Sequence, residues 1–355
     1  MGRKRVVVAM SGGVDSSMAA ALLLKRGYEV IGITMRLWSD GPGSNRCCPP
    51  EAIEMARRVA EILGIPFYVL DYAGPFYEKV VCYFVEEYVR GRTPNPCLAC
   101  NRFIKFDLLL HQAQALEADY LATGHYARIK EVNGRYKLLK GVDPRKEQSY
   151  VLYMLSQEQL SHLIFPLGEY TKQEVRQLAR EMGLPVAERE ESQELCFITR
   201  GDYRDFLRRY APEAIRPGPI YDREGNLLGT HKGLPFYTIG QRRGLGIPYG
   251  EPLYVIDIDV ERNALIVGTA EELGKRGLLA RQVNYISGQE PETPLSLKAK
   301  IRYQAPEVDA TLYPLPGNTA EVIFREPLRG ITPGQAVVFY RGEEVLGGGI
   351  IERAF

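Results

Sequence analysis

Apolar and polar positions in the first half of the chain follow two alternating patterns. Short apolar, β-branched runs predict strands, and the stretches between them carry apolar residues at helical spacing. The predicted strands are 6–10, 30–34, 67–70 and 120–123, and the predicted helices are 16–26, 50–63 and 76–89. Strands separated by helices predict βαβ units and a parallel α/β sheet, with functional sites at the carboxyl ends of the strands.

The pattern changes after Pro166. Thr171 and the three residues after it have the pattern of an N-cap and helix start, and that helix is predicted to end near Gly183. A short helix at 203–210 follows in a region rich in Gly and Pro turns. Beyond residue 279, short alternating strands at 295–301, 308–313, 320–324, 336–340 and 345–351 predict a small β-barrel or sandwich. Three domains are therefore expected, at 1–200, 201–278 and 279–355.

Composition and charge narrow the class of protein. The 355 residues are 45% hydrophobic and 25% charged, with a formal net charge of +1, which excludes disorder as the main state. No run of about 18 apolar residues is present, and the apolar stretch at 6–10 is too short for a signal peptide. A cytoplasmic protein without a membrane partner is expected. The six cysteines predict metal, redox, catalytic or core thiols rather than a disulfide scaffold.

The strongest chemical signal directly follows the first predicted strand. It is the string Ser11-Gly12-Gly13-Val14-Asp15-Ser16-Ser17. Paired glycines let the backbone approach an anion, and a helix start adds N–H donors and a positive dipole end. No Gly-Lys-Ser/Thr follows, so this is not a Walker loop. From spacing alone it is either a phosphate-binding loop or an ordinary strand–turn–helix junction capped by Ser or Asp. Beside bound phosphates, Asp15 is expected to hold a magnesium ion or to cap the helix.

The cysteines give a weaker signal. Cys97 and Cys100 form a C-x-x-C pair on a predicted loop that enters a helix near residue 102, a position that favours thiolates. Cys196 lies far downstream by itself. One such pair is a weak indication of a metal site, and a structural pair or a simple disulfide is the alternative. Cys47 and Cys48 are adjacent, which is a poor spacing for metal ligands.

Together with further motifs, these residues resemble the bacterial tRNA-specific 2-thiouridylases over nearly the whole chain. The motifs are 11–17, Gly91-Arg92-Thr93-Pro94-Asn95-Pro96, Cys100-Asn101, Ile104-Lys105-Phe106, Ala122-Thr123-Gly124-His125-Tyr126, Gln148-Ser149-Tyr150, Cys196-Phe197-Ile198, Gly240-Gln241-Arg242 and Gly347-Gly348-Gly349-Ile350-Ile351. The resemblance implies an α/β PP-loop domain of the adenine nucleotide alpha hydrolase type with a parallel sheet. It also implies a small mixed central domain and a C-terminal β-barrel that embrace tRNA.

The resemblance implies a reaction as well. ATP, with Mg²⁺, would adenylate the 2-oxygen of the wobble uridine at position 34 of tRNA and release pyrophosphate. A sulfur nucleophile would then displace AMP and leave 2-thiouridine. A cysteine desulfurase or sulfur-relay protein would supply the sulfur. Because the target base is stacked in the anticodon loop, it must be splayed out into a pocket.

Roles are implied residue by residue. Cys100, Cys196 and Asp15 would carry the chemistry. The ATP-binding residues would be Ala9, Met10, Ser11, Gly12, Gly13, Val14, Asp15, Ser16, Met35 and Gly124. The tRNA-binding residues would be Asn95, Pro96, Cys97, His125, Glu147, Gln148, Ser149, Arg302, Tyr303 and Gln335. Judged from the residues alone, Met35 and His125 also fit core positions, and 147–149 fits a solvated loop. Lys298, Lys300 and Arg302 alternate on one predicted strand face, which fits either RNA binding or a solvated surface.

One position departs from the family pattern, because many members carry an aspartate where this chain has Cys97. In the first scheme Cys100 is the nucleophile and Cys196 carries a persulfide. In the second, which is favoured here, Cys97, Cys100 and Cys196 bind a 4Fe-4S cluster with one iron open for sulfur, as in related tRNA thiolases.

Two other function classes compete. A small-molecule ATP pyrophosphatase, such as an amidating or ligating synthetase, needs neither three dispersed cysteines nor a terminal barrel. A non-catalytic iron–sulfur or RNA-binding module does not need the phosphate loop.

Overall fold

The computed structural model describes residues 3–40, 50–189 and 195–355. The strands are β1 (Arg5–Ala9), β2 (Glu29–Arg36), β3 (Phe67–Asp71), β4 (Tyr120–Ala122), β5 (Ala127–Val132), β6 (Arg135–Lys140), β7 (Leu163–Ile164), β8 (Gly218–Tyr221), β9 (Leu227–His231), β10 (Tyr254–Asp259), β11 (Ala264–Gly268), β12 (Gly274–Tyr285), β13 (Leu295–Lys300), β14 (Val308–Leu315), β15 (Thr319–Arg329), β16 (Ala336–Arg341) and β17 (Glu344–Ala354).

The α-helices are α1 (Val14–Lys25), α2 (Pro50–Leu63), α3 (Ala73–Phe76), α4 (Cys82–Val89), α5 (Pro96–Ala99), α6 (Leu110–Ala115), α7 (Gln157–Ser161), α8 (Lys172–Glu181) and α9 (Tyr203–Tyr210). Two π-helical segments, Tyr77–Val81 and Cys100–Leu109, join α3 to α4 and α5 to α6. Short 3₁₀ turns occur at Ser149–Leu152, Pro212–Ala214 and Leu234–Phe236. None of the helices in the described ranges combines the length and apolarity needed to cross a bilayer.

The N-terminal sheet is parallel, with strand order β3-β2-β1-β4-β7. Its central strand β1 is an apolar run whose side chains alternate between two buried faces. Val6 and Val8 pack with α1, α2 and α8, and Val7 packs with the helical segments between residues 73 and 115. The predicted α/β class with a parallel sheet is confirmed, and the α2 prediction matches the observed helix at both ends.

A hairpin that the sequence pattern did not predict leaves this sheet after β4. Its strands β5 and β6 pair with each other, and β6 pairs with the start of β17 through Leu138 and Val345. The N-terminal region thereby extends the C-terminal sheet, and backbone hydrogen bonds connect the hairpin at 127–140 with the barrel.

The central region forms a sheet of order β10-β11-β8-β9. The C-terminal strands run β12-β15-β14-β13-β16-β17, and the pairing of β12 with β17 closes them into a barrel. Leu278, Val322 and Phe339 are fully buried inside it. The β-barrel prediction is confirmed. Its first strand begins at Gly274, so the expected boundary after 278 falls inside β12. Cys47, Cys48 and residues 190–194 of the motif before Cys196 lie outside the described residues.

Candidate active site

The glycine-rich loop lies between the carboxyl end of β1 and the start of α1. Gly12 has φ +72°, and a Cβ there would lie 2.2 Å from the carbonyl oxygen of Ala52. Only glycine tolerates that backbone and that approach of α2. Gly13 is the N-cap of α1, and no side chain caps the helix. The expectation that Asp15 caps α1 is therefore wrong, and no side chain accepts from the N-terminal amides of this helix as a cap.

The hydroxyl groups of the loop hold its shape. Ser16 Oγ accepts from the Ser11 N–H at 3.0 Å and donates to the Gly13 carbonyl at 3.1 Å. Ser17 Oγ donates to the same carbonyl at 3.0 Å. Thr34 Oγ1, on the neighbouring strand, donates to the Met10 carbonyl at 2.6 Å. The loop is thus preorganised by its own side chains.

Asp15 has partners that sequence analysis missed. Both of its carboxylate oxygens lie 2.7 Å from Lys172 Nζ, and Tyr126 Oη donates to Oδ1 at 2.7 Å. Lys172 is the first residue of α8, directly after the Thr171 capping box that the sequence predicted. That box gave the position of the helix start, but nothing local indicated that Lys172 reaches a carboxylate 157 residues away.

The segment after β4 lies against the loop. A Cβ on Gly124 would lie 2.9 Å from the Asp15 carbonyl carbon and the Ser16 nitrogen, so glycine permits this contact. His125 is buried between Phe106 and Phe165, and its Nδ1 lies 2.6 Å from Thr123 Oγ1.

The environment of His125 sets its charge. Burial, with a smaller contribution from the positive charge of Lys105, holds the pKa of His125 well below its ordinary value. The imidazole is therefore neutral. Met35 is also buried, in the hydrophobic core at the end of β2.

The cysteine pair lies in a helix rather than on the predicted loop. The helical segments run without a break from Pro96 to residue 115, and the Asn95 side chain caps them by accepting from the Cys97 N–H at 3.1 Å. The start near residue 102 was wrong because Asn95-Pro96 is itself a cap followed by proline at the first helical position. Cys97 is exposed, Cys100 is buried and Cys196 is half-buried.

The implied metal groups can be tested against these positions. Within 3–40, 50–189 and 195–355, no three His, Cys, Asp or Glu side chains are grouped so as to hold a metal ion. Cys97, Cys100 and Cys196 therefore do not form the favoured cluster-ligand set in this arrangement. The Asp15 carboxylate contacts Lys172 and Tyr126, and a magnesium ion at this residue stays a prediction. The described cysteines contain no disulfide.

The barrel holds the loop that leads to the cysteines. Gln335 Nε2 donates to the carbonyls of Thr93, at 2.8 Å, and Pro94, at 3.3 Å. The Thr93 N–H donates to the Pro333 carbonyl at 2.9 Å. Thr93 Oγ1 donates to Thr238 Oγ1 of the central region at 3.0 Å. All three parts of the chain thus meet at this loop, residues 91–95.

Arg302 and Tyr303, expected at the RNA surface, make contacts within the chain. Lys298 and Lys300 lie at alternate positions of β13 as predicted, but Lys300 ends the strand. Arg302 therefore lies in the bend after it, and its predicted place on the strand face was wrong. The Arg302 guanidinium donates to the Ile239 carbonyl at 3.1 Å and to Thr332 Oγ1. Tyr303 Oη donates to the Glu147 carbonyl at 3.0 Å.

The two lysines of β13 differ in their surroundings. Lys300 is half-buried over the rings of Tyr150 and Tyr303, whereas Lys298 is exposed and pairs with Asp309 at 2.9 Å.

The segment 147–149 is also built into the fold. Gln148 Oε1 accepts from the Tyr126 N–H at 3.0 Å, and the Glu147 carboxylate accepts from the Ser149 N–H. Ser149 is fully buried. Of this trio only Glu147 and Gln148 retain partial exposure, so the solvated-loop alternative is wrong for Ser149. RNA contact by the trio stays a prediction.

Comparison with known proteins agrees with these three parts. Residues 4–200 match the model of a tRNA methyl transferase HUP domain, 204–269 that of a tRNA methyl transferase PRC-barrel domain, and 275–351 that of an aminomethyltransferase beta-barrel domain. Among solved structures, the U34-tRNA thiolase NcsA from Methanococcus maripaludis with its 4Fe-4S cluster is 19% identical. That likeness covers 59% of this chain and 65% of that one at a TM-score of 0.36, which is too low to bear on the cysteines.

Curated relatives match along almost the entire length. The tRNA-specific 2-thiouridylase MnmA of Moorella thermoacetica is 56% identical, covering 98% of this chain and 99% of the relative. That of Carboxydothermus hydrogenoformans is 52% identical, covering 99% of each. The chain therefore belongs to the tRNA-specific 2-thiouridylases, enzymes that thiolate a uridine of tRNA.

Proposed function

We propose that this enzyme thiolates the 2-position of the wobble uridine by splitting ATP into AMP and pyrophosphate. The observation that carries the proposal is the loop at 11–17. Two glycines, a helix start without a side-chain cap and a shape held by internal hydroxyls form a preorganised anion site at the carboxyl end of β1. An oxygen of a pyrimidine base is a poor leaving group, and phosphate activation by such a site removes that obstacle.

The proposed first step is attack of the uridine 2-oxygen on the α-phosphorus of ATP. The bond between the α-phosphorus and the bridging oxygen breaks, and pyrophosphate leaves with the electron pair. First-turn amides of α1 would stabilise the charge. The base reaches this site only when splayed out of the anticodon loop. The partners in this scheme are tRNA and a cysteine desulfurase or sulfur-relay protein that delivers sulfur.

The proposed second step uses a persulfide on Cys196. Its terminal sulfur attacks the activated carbon and AMP leaves. The Cys100 thiolate then attacks the Cys196 sulfur, which releases 2-thiouridine and leaves a disulfide between the two cysteines for a thiol reductant to reopen. Cys100 is buried and Cys196 is half-buried, and the described residues contain no three-thiolate ligand group that would favour the cluster scheme instead.

The test is a reaction with tRNA and ATP labelled in the α-phosphate. The wild-type chain should form AMP and pyrophosphate only with a tRNA that carries uridine at the wobble position, and a tRNA with cytidine there is the matched control. Cys100→Ser should still adenylate the base but yield no 2-thiouridine by mass spectrometry. Formation of ADP and phosphate, or AMP release that does not depend on tRNA, would contradict the proposal.

A further inference from the structure

Lys172 is held in place by its surroundings more firmly than an ordinary surface lysine. Its backbone N–H donates to Asp143 Oδ2 at 2.9 Å, and Asp143 is itself buried. The reciprocal capping box between Thr171 and Glu174 fixes the first turn of α8 around it. Only 10% of the Lys172 side chain is exposed. The ammonium group therefore has a defined position beside α1.

The partner of that ammonium group is the acid of the phosphate loop. Asp15 lies in the first turn of α1, where a polyphosphate would bind, and its carboxylate would repel one. Lys172 Nζ lies 2.7 Å from both carboxylate oxygens and cancels this charge. The two side chains are only 10% and 31% exposed. Such an ion pair adds little to the free energy of unfolding, because the cost of desolvating both charges offsets their attraction.

The surface around Lys172 is basic as well. A cavity of about 360 Å³ lies beside the start of α8, and Arg145, Lys146 and Arg176 contribute to its lining. Arg189 Nη1 donates to the Gly12 carbonyl at 2.9 Å, on the loop itself. Positive charge therefore continues from the loop to the outer side of α8, which favours an anionic ligand with more than one phosphate.

We propose that Lys172 binds the β-phosphate of ATP and stabilises the departing pyrophosphate, an inference that rests on the proposed function. On nucleotide binding the ammonium group is shared between Asp15 and a β-phosphate oxygen. As the bond to the α-phosphorus breaks, negative charge grows on the bridging oxygen, and the nearby cation lowers its energy. Lys172 transfers no proton in this step. Tyr126, which donates to Oδ1, holds the carboxylate in position.

The test compares ligands that contain or lack the β-phosphate. Calorimetric titration with α,β-methylene-ATP, pyrophosphate and AMP is performed on the wild type, Lys172→Met, Lys172→Arg and the control Lys25→Met, an exposed lysine at the far end of α1. We expect Lys172→Met to weaken the first two ligands by about tenfold or more and leave AMP within about twofold. Lys172→Arg should retain part of the affinity, and Lys25→Met all of it. Equal weakening of all three ligands, or of none, would overturn the proposal.

A second variant covers the case in which Lys172→Met does not fold. Asp15→Asn combined with Lys172→Met removes both charges and leaves no unpaired ion. Its reference is Asp15→Asn alone, because both variants then lack the acid. If Lys172 is only structural, the two variants should bind pyrophosphate equally, which would refute the proposal; we expect the double variant to bind pyrophosphate about tenfold more weakly than Asp15→Asn. These affinities are measured without tRNA, so they test the role of Lys172 independently of the proposed thiolation reaction. A wild type that discriminates as expected yet never forms AMP with tRNA would refute only the proposed reaction.

Discussion

Gly124→Ala tests whether the segment after β4 lies directly on the phosphate loop. The added Cβ would lie 2.9 Å from the Asp15 carbonyl carbon and from the Ser16 nitrogen, whereas ordinary contacts begin at 3.4 Å. Both neighbours are backbone atoms, which cannot rotate away as the end of a side chain can. The two segments must therefore separate by about half an ångström, or the loop must deform.

The expected cost follows from that overlap. Overpacking of this kind lowers the free energy of unfolding by about 1–3 kcal/mol, which urea titration with linear extrapolation resolves. ATP affinity should fall as well, because the Ser16 amide belongs to the first turn of α1 that would face the phosphates. Calorimetric titration with ATP measures that second effect.

Gly74→Ala is the matched control. Gly74 lies within α3, and an added Cβ there would meet nothing within 4 Å. Its stability should be unchanged or rise by up to about 1 kcal/mol, since alanine loses less backbone entropy than glycine on folding. If Gly124→Ala is as stable as this control and binds ATP like the wild type, the described approach of the two segments is wrong.

Further predictions address the other parts of the site. Arg302→Ala should lower the free energy of unfolding by about 1–3 kcal/mol, because buried acceptors lose their donor. Lys298→Ala, at an exposed site, should instead reduce the salt slope of tRNA binding by about one. Cys97→Asp should retain 2-thiouridine formation, measured by mass spectrometry, whereas Cys100→Ser should abolish it. His125→Phe should be less sensitive to acid than the wild type, since the unfolded wild type takes up a proton below about pH 6.5 while the folded one resists it.

Each of these predictions has an outcome that would contradict it. If Arg302→Ala changes the salt slope of tRNA binding but not the free energy of unfolding, Arg302 contacts RNA rather than the rest of the fold. Joint loss of bound iron and thiolation in Cys97→Asp would favour the cluster scheme. For His125→Phe, the difference in urea midpoint from the wild type should be constant above about pH 7.5 and shift in favour of the variant as the pH falls from 6.5 towards 5. Parallel curves over that range would mean that His125 is protonated in the folded protein.

Local sequence pattern was sufficient wherever one segment alone determines its conformation. The apolar run of β1 is buried on both faces, and the amphipathic pattern of α2 matched its helix end to end. The capping box before α8 is made of neighbouring residues that satisfy each other's hydrogen bonds. The glycines at 12 and 13 marked the turn between β1 and α1, because their conformational freedom is itself the signal. The family followed from such strings, and the comparisons confirmed it.

The tertiary structure decided everything that depends on residues far apart in the chain. Lys172 meets Asp15 across 157 positions, and Gln335 meets Thr93 across 242. A polar side chain in sequence is equally suited to RNA, to solvent or to another part of the fold, and only packing selects its partner. That is why Arg302 was expected on the RNA surface and is found joining the barrel to the central region. Short-range periodicity carries no information on such pairings, because their free energy arises only after distant segments have been brought together and desolvated.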